Sequence, residues 1–131
     1  MEVNIGYQEL ECLLQDFSGK NIHILYKSSQ TLNLAWSKID LNLTVETIED
    51  SGILLSYSGG WVVERLVSPI LKLFKGKLGN MLDILPHHQL RFSFDKEPKA
   101  RNIVQKLALK ELYFNEEEIF LEVLPKELVY K

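Results

Sequence analysis

Hydrophobic and polar residues alternate along most of this chain, and the alternation changes phase at a few definite places. Val3 and Ile5 alternate as in a short strand. From Tyr7 the period lengthens: Tyr7, Leu10, Leu14 and Phe17 form a helical stripe, with Glu9, Glu11 and Gln15 on other faces. Gly19 followed by Lys20 ends that pattern, so a short helix is predicted over about residues 7–16. Strand patterns follow at Ile22–Ile24–Tyr26, Leu32–Leu34–Trp36, Ile39–Leu41–Leu43–Val45 and Ile53–Leu55–Tyr57. Turn compositions separate them at "KSSQ" and "EDSG".

Between Trp36 and Ile39 the apolar parity switches from even to odd. A one-residue slip would turn every side chain to the wrong face, so "WSK" must hold a bulge, a bend or a turn. A second slip falls between Leu109 and Leu112. Further strand patterns are Leu90–Phe92–Phe94, Leu107–Leu109 with Leu112–Phe114, and Ile119–Leu121–Val123. The polar stretch "DKEPKAR" reads as a loop, residues 99–106 stay open between a helical turn and irregular chain, and "NEEE" reads as a turn.

One long stretch, "GGWVVERLVSPILKLFKGKLGNMLDILP", has helical periodicity. At 100° per residue, Val62, Val63, Leu66, Val67, Ile70, Leu71, Leu73, Phe74, Leu78 and Met81 fill about half the wheel. Lys77 intrudes on that apolar side. Pro69 either kinks one helix or, with Ser68 as cap, starts a second; the apolar face keeps its phase across the proline, which favours one kinked unit. The expected fold is therefore α+β, a single domain over residues 1–131. A strongly curved antiparallel sheet of about six to eight strands wraps one long central helix over about 60–82, beside the short N-terminal helix. The slips near Trp36 and Leu109 are expected to supply the curvature.

Composition adds class but not function. At 131 residues, 46% hydrophobic and 25% charged, the chain can bury a core without metal or disulfide staples. Cys12 is the lone cysteine, expected as a buried thiol, and no secretory signal pattern opens the chain; a cytoplasmic setting is expected. No uninterrupted apolar run is long enough to span a bilayer.

The net charge of −3 argues against nonspecific nucleic-acid binding. Its distribution is uneven, with a basic segment between acidic ends. Arg65, Lys72 and Lys75 on the helix could meet an anionic partner, although complementarity within the fold is the favoured account of such blocks. Membrane contact through the greasy face is disfavoured, because the strand faces need a cover and this helix is the long one available.

Catalytic patterns are missing. His87 and His88 are adjacent and lack helical zinc spacing, and they follow Pro86 in a connection. Glu116, Glu117 and Glu118 form a turn run without calcium-loop spacing. The glycines of "FKGKLGN" do not make a phosphate loop, and "SYSGG" is not a nucleophile elbow. No enzyme, metal or cofactor is expected.

Four stretches carry a resemblance: "NIGYQELECLL" as strand then helix, the hairpins of 21–57, the greasy helix after "SGGW", and "LALKELYFNEEEIFLEV" as a closing strand pair. In that order they resemble small bacterial lipid-binding-like domains allied to the tubular lipid-binding superfamily. The resemblance implies a highly curved sheet around a helix with a lipid-sized apolar groove and no catalytic residues. The stretch is shorter than that family's domains, and no export-signal pattern is visible in it.

The sequence thus leads to a non-catalytic domain that binds an apolar or lipid-like ligand between helix and sheet. Val63, Val67, Ile70 and Phe74 are the candidate helix wall, and Trp36 and Phe92 the sheet side. The alternatives are a solid-cored interaction or structural domain, and an enzyme whose site assembles only in space.

Overall fold

The computed structural model of the chain describes residues 1–96 and 106–129, and of 61–66, 128 and 129 the backbone alone. Among these, nine strands form two antiparallel sheets. Strands β1 (Glu2–Gly6), β9 (Glu118–Pro125) and β8 (Leu107–Phe114) make a three-stranded sheet in the order β1-β9-β8. The other six are β2 (His23–Ser28), β3 (Thr31–Trp36), β4 (Ile39–Glu49), β5 (Gly52–Gly59), β6 (Leu82–Leu85) and β7 (Gln89–Ser93), in the order β2-β3-β4-β5-β7-β6. Helix α1 (Tyr7–Ser18) joins β1 to β2, α2 (Trp61–Leu78) joins β5 to β6 through a 3-10 turn at Gly79–Met81, and α3 (Lys126–Val129) follows β9.

This architecture overturns the expected one. The class remains α+β, but there is no single curved sheet and no long central helix wrapped by it; the sheets are not strongly curled. The highly curved sheet implied by the lipid-binding resemblance is absent with it. The expected helix over 60–82 ends at Leu78, and Leu82–Leu85 is a strand paired with β7, Ile84 opposite Leu90. Pro69 lies inside α2 and does not start a second helix. Instead of filling the centre, α2 packs on β4, β5 and β6.

The alternation explains the elements it does specify. On the inner face of the six-stranded sheet lie Ile24, Leu32, Val45, Ile53, Leu55, Leu82 and Leu90, all buried. Leu109, Leu112 and Phe114 of β8 meet them from the other sheet. The parity change after Trp36 is a hairpin turn: Trp36 pairs with Ile39, and Ser37 takes a positive φ of 52° to close the loop. The slip in β8 is a bulge between Leu109 and Glu111. Bulges between Val45 and Thr47 and between Tyr26 and Ser28 had no signature in the pattern.

The two sheets are joined through backbone. One edge of β8 pairs with β9; the other meets the hairpin tips of the six-stranded sheet. Leu109 N–H donates to the Asp50 carbonyl at 2.7 Å and Phe114 N–H to the Ser29 carbonyl at 2.9 Å. An edge strand that would otherwise offer bare polar groups is satisfied this way. At the loop after β7, Phe94 N–H likewise donates to the Ser51 carbonyl at 2.7 Å. The open stretch 99–106 and most of the "DKEPKAR" loop lie outside the described residues.

Candidate functional site

Between the two sheets, with α1 along one side, lies an open cleft of about 520 Å³. Leu32, Leu34, Leu43, Val45, Ile53 and Leu55 form its floor on the six-stranded sheet. Ile119, Leu121 and Val123 of β9 face them, together with Ile5 of β1 and Leu109, Leu112 and Phe114 of β8. Leu10 and Leu14 of α1 close a side. Among the described residues every lining side chain except that of Asp50 is apolar. Strand alternation builds this wall, because residues two apart on β3, β4, β5 and β9 point to the same face.

A second, smaller cavity of about 150 Å³ adjoins the first beneath α2. The two share Leu14, Leu34, Leu43, Leu55 and Phe92. Of the residues picked from sequence, Trp36, Val67, Ile70, Phe74 and Phe92 line this inner cavity, and Phe92 lines both. The side chain of Val63 lies outside the described residues. Val67, Ile70, Leu71 and Phe74 recur at helical spacing and turn one stripe of α2 to the sheet. Leu73, counted with that stripe, is 40% exposed.

The larger void was missed because its far wall comes from β1, β8 and β9. Their apolar positions read as ordinary strand interior, and nothing local marks an interior face that stays apart from its neighbour.

Two polar atoms stand out in the interior. Trp36 is 6% exposed, and its indole Nε1 is buried without a hydrogen-bond partner. An unmade bond of that kind costs about 1–3 kcal/mol. Tyr7, at the start of α1, donates its hydroxyl to the Asn115 carbonyl at 2.5 Å, with the Glu118 carbonyl 3.2 Å away. Burial, then Tyr26 and Glu118 nearby, raise its pKa above the ordinary 10.0.

Other candidate groups serve the fold. Lys75 donates to the carbonyls of Gly79 at 2.9 Å and Leu82 at 2.6 Å, neutralising the C-terminal end of α2, and lies 3.9 Å from Asp83. Lys77, which looked misplaced on the apolar side, donates to the Phe17 carbonyl at the end of α1 and sits over the Phe17 ring, 5.0 Å from its centre. Phe17 in turn stacks on Phe74, with centroids 5.1 Å apart. The Arg65 side chain is outside the described residues.

His87 and His88 occupy the β6–β7 turn at φ of 62° and 59°, and the His88 ring stacks on Tyr57. His23 lies 3.5 Å from Glu11 on the open surface. Glu117 and Glu118 amides donate to the Asn115 side chain, so the acidic run is a capped turn. Among the described residues no cluster of His, Cys, Asp or Glu could hold a metal ion. Cys12 is exposed and not, as expected, buried. No helix among the described residues is long and apolar enough to cross a membrane.

Comparison with protein-family models, with curated proteins and with solved structures finds no match to this chain.

Proposed function

We propose that this protein binds an apolar, lipid-like small molecule without transforming it, and that the ligand lies in the cleft between the two sheets. The observation that carries the reading is the cleft itself: about 520 Å³, walled among the described residues by apolar side chains, with Asp50 the one charged side chain and the Met1 α-ammonium, which donates to the Val123 carbonyl, also at its lining. Small-molecule sites commonly measure about 300–1,000 Å³ and are mostly apolar.

The cleft is open, so its apolar walls meet water when no ligand is bound. An apolar guest removes that surface from water and gains the dispersion contacts that the lining lacks. The exposed free thiol of Cys12 fits a reducing compartment, and a cytoplasmic setting belongs to this reading.

The test is mass spectrometry of organic extracts from purified protein, paired with thermal shifts on adding neutral long-chain compounds. A stoichiometric apolar compound in the extract, or a raised melting temperature, is the expected result. A clean extract with no shift from any such compound would remove the reading and leave a solid-cored interaction domain.

A further inference from the structure

The floor of the large cleft runs on beyond the cleft. On β3 every second residue gives Leu32, Leu34 and Trp36, and on β4, antiparallel to it, Val45, Leu43 and Leu41. In each strand the first residue lines the cleft alone, the second lines both voids, and the third lines the inner cavity alone. Strand β5 repeats the order, with Leu55 in the shared position. Two residues along a strand advance by about 6–7 Å. One apolar floor thus leads from the larger void into the smaller.

The divide between the voids falls at that middle row. Helix α1 brings Leu10 to the cleft alone and Leu14, one turn later, to both voids. Leu14 is therefore the helix residue that meets the sheet where the two spaces part. Phe92 also lines both, but it belongs to the sheet, paired with Ile53 and Leu82. The walls of both voids are almost wholly hydrocarbon. Such walls select by length and shape, because each methylene they bury adds to the binding until the space ends.

We propose that the Leu14 side chain sets the length of hydrocarbon chain that this protein accepts. The chain lies along the floor of the cleft with its end stopped at Leu14, and the inner cavity is the space that a longer chain enters once the stop is removed. The inference rests on the cleft being a ligand site and adds the selection of the ligand by length.

Straight-chain primary alcohols from decanol to eicosanol are the probes, ranked by displacement of the neutral dye Nile red from the full chain. Being uncharged, they differ in length only. Each methylene should tighten binding about fourfold until the chain meets Leu14, and further carbons should add nothing. Leu14→Ala keeps a good helix former in α1. In that variant the rise should continue past the wild-type limit, with the longest alcohols bound at least about tenfold more tightly than by the wild type. Ile70, on α2, lines the inner cavity alone. Ile70→Phe, added to Leu14→Ala, should fill that cavity and bring back the wild-type limit.

The wild-type ranking needs no variant to fold, and affinity that climbs without a limit through eicosanol would overturn the inference. So would an unchanged limit in Leu14→Ala, or a longer limit that Ile70→Phe leaves in place. Each of these outcomes keeps the cleft as a ligand site. If no alcohol of the series displaces the dye, the cleft reading falls first and takes this one with it.

Discussion

The amide of Leu109 donates to the carbonyl of Asp50 across 2.7 Å, and through that bond the edge of one sheet is fastened to a hairpin tip of the other. The cleft lies just inside this seam, with both residues on its lining. Gly52 sits two residues beyond Asp50, and a Cβ there would collide with the backbone carbonyl oxygen of Phe92. Backbone cannot step aside as a side chain can. Gly52→Ala is expected to lose about 1–3 kcal/mol of stability, read as a lower urea midpoint with an unchanged slope.

Leu121 lies in mid-β9, paired with Val3 and Leu112, and faces the cleft. Leu121→Trp places a larger ring in space that is already empty. Nile red and apolar-ligand binding should fall about tenfold or more. The melting temperature should hold or rise, because filling a void recovers contacts. Loss of binding together with collapse of the fold would not meet this expectation.

Among the described residues Leu82 is the most deeply buried large side chain, 1% exposed, and it lines the inner cavity. Removing three carbons there enlarges an existing void that its neighbours have not closed. Leu82→Ala should cost about 3–4 kcal/mol in denaturant unfolding, within the upper part of the range for such truncations.

Tyr7 gives a pH dependence with a definite sign. Its folded pKa is raised by burial and by Tyr26 and Glu118, so the folded state holds the phenolic proton more tightly than the unfolded chain does. The resulting stabilisation is complete below the unfolded value of about 10 and is lost as pH rises through the higher folded value. Tyr7→Phe should cost about 1 kcal/mol near neutrality by removing the bond to Asn115. The stability gap between wild type and variant should stay constant up to about pH 9 and narrow above it.

Much of the strand content was legible because burial on one face imposes a period of two. The even run through Trp36 and the odd run from Ile39 required a bulge, a bend or a turn, and the structure has a hairpin turn there. The pattern could not say which strands pair. Alternation in β1 and β9 is the same whether they join the large sheet or make a separate one.

Residues 82–85 illustrate a second limit. Leu78, Met81, Leu82 and Leu85 fit a helical stripe as well as Leu82 and Ile84 fit a strand, and long-range pairing of Ile84 with Leu90 decides the matter. Val67, Ile70, Phe74 and Trp36 line the inner cavity because a large apolar stripe must face something. The main cleft depends on the distance between two sheets, a quantity no local run of residues encodes.

Strand β1 finds its partner in β9, with Val3 opposite Leu121 and Ile5 opposite Ile119, across most of the length of the chain. During synthesis the six-stranded sheet and its helices can assemble from residues already released, while the N-terminal strand waits for β9 to leave the ribosome. Such distant closures come late and slowly. The sheet that faces this apolar floor is consequently the last part to arrive, so a nascent chain carries a greasy surface before β1 and β9 pair across from it.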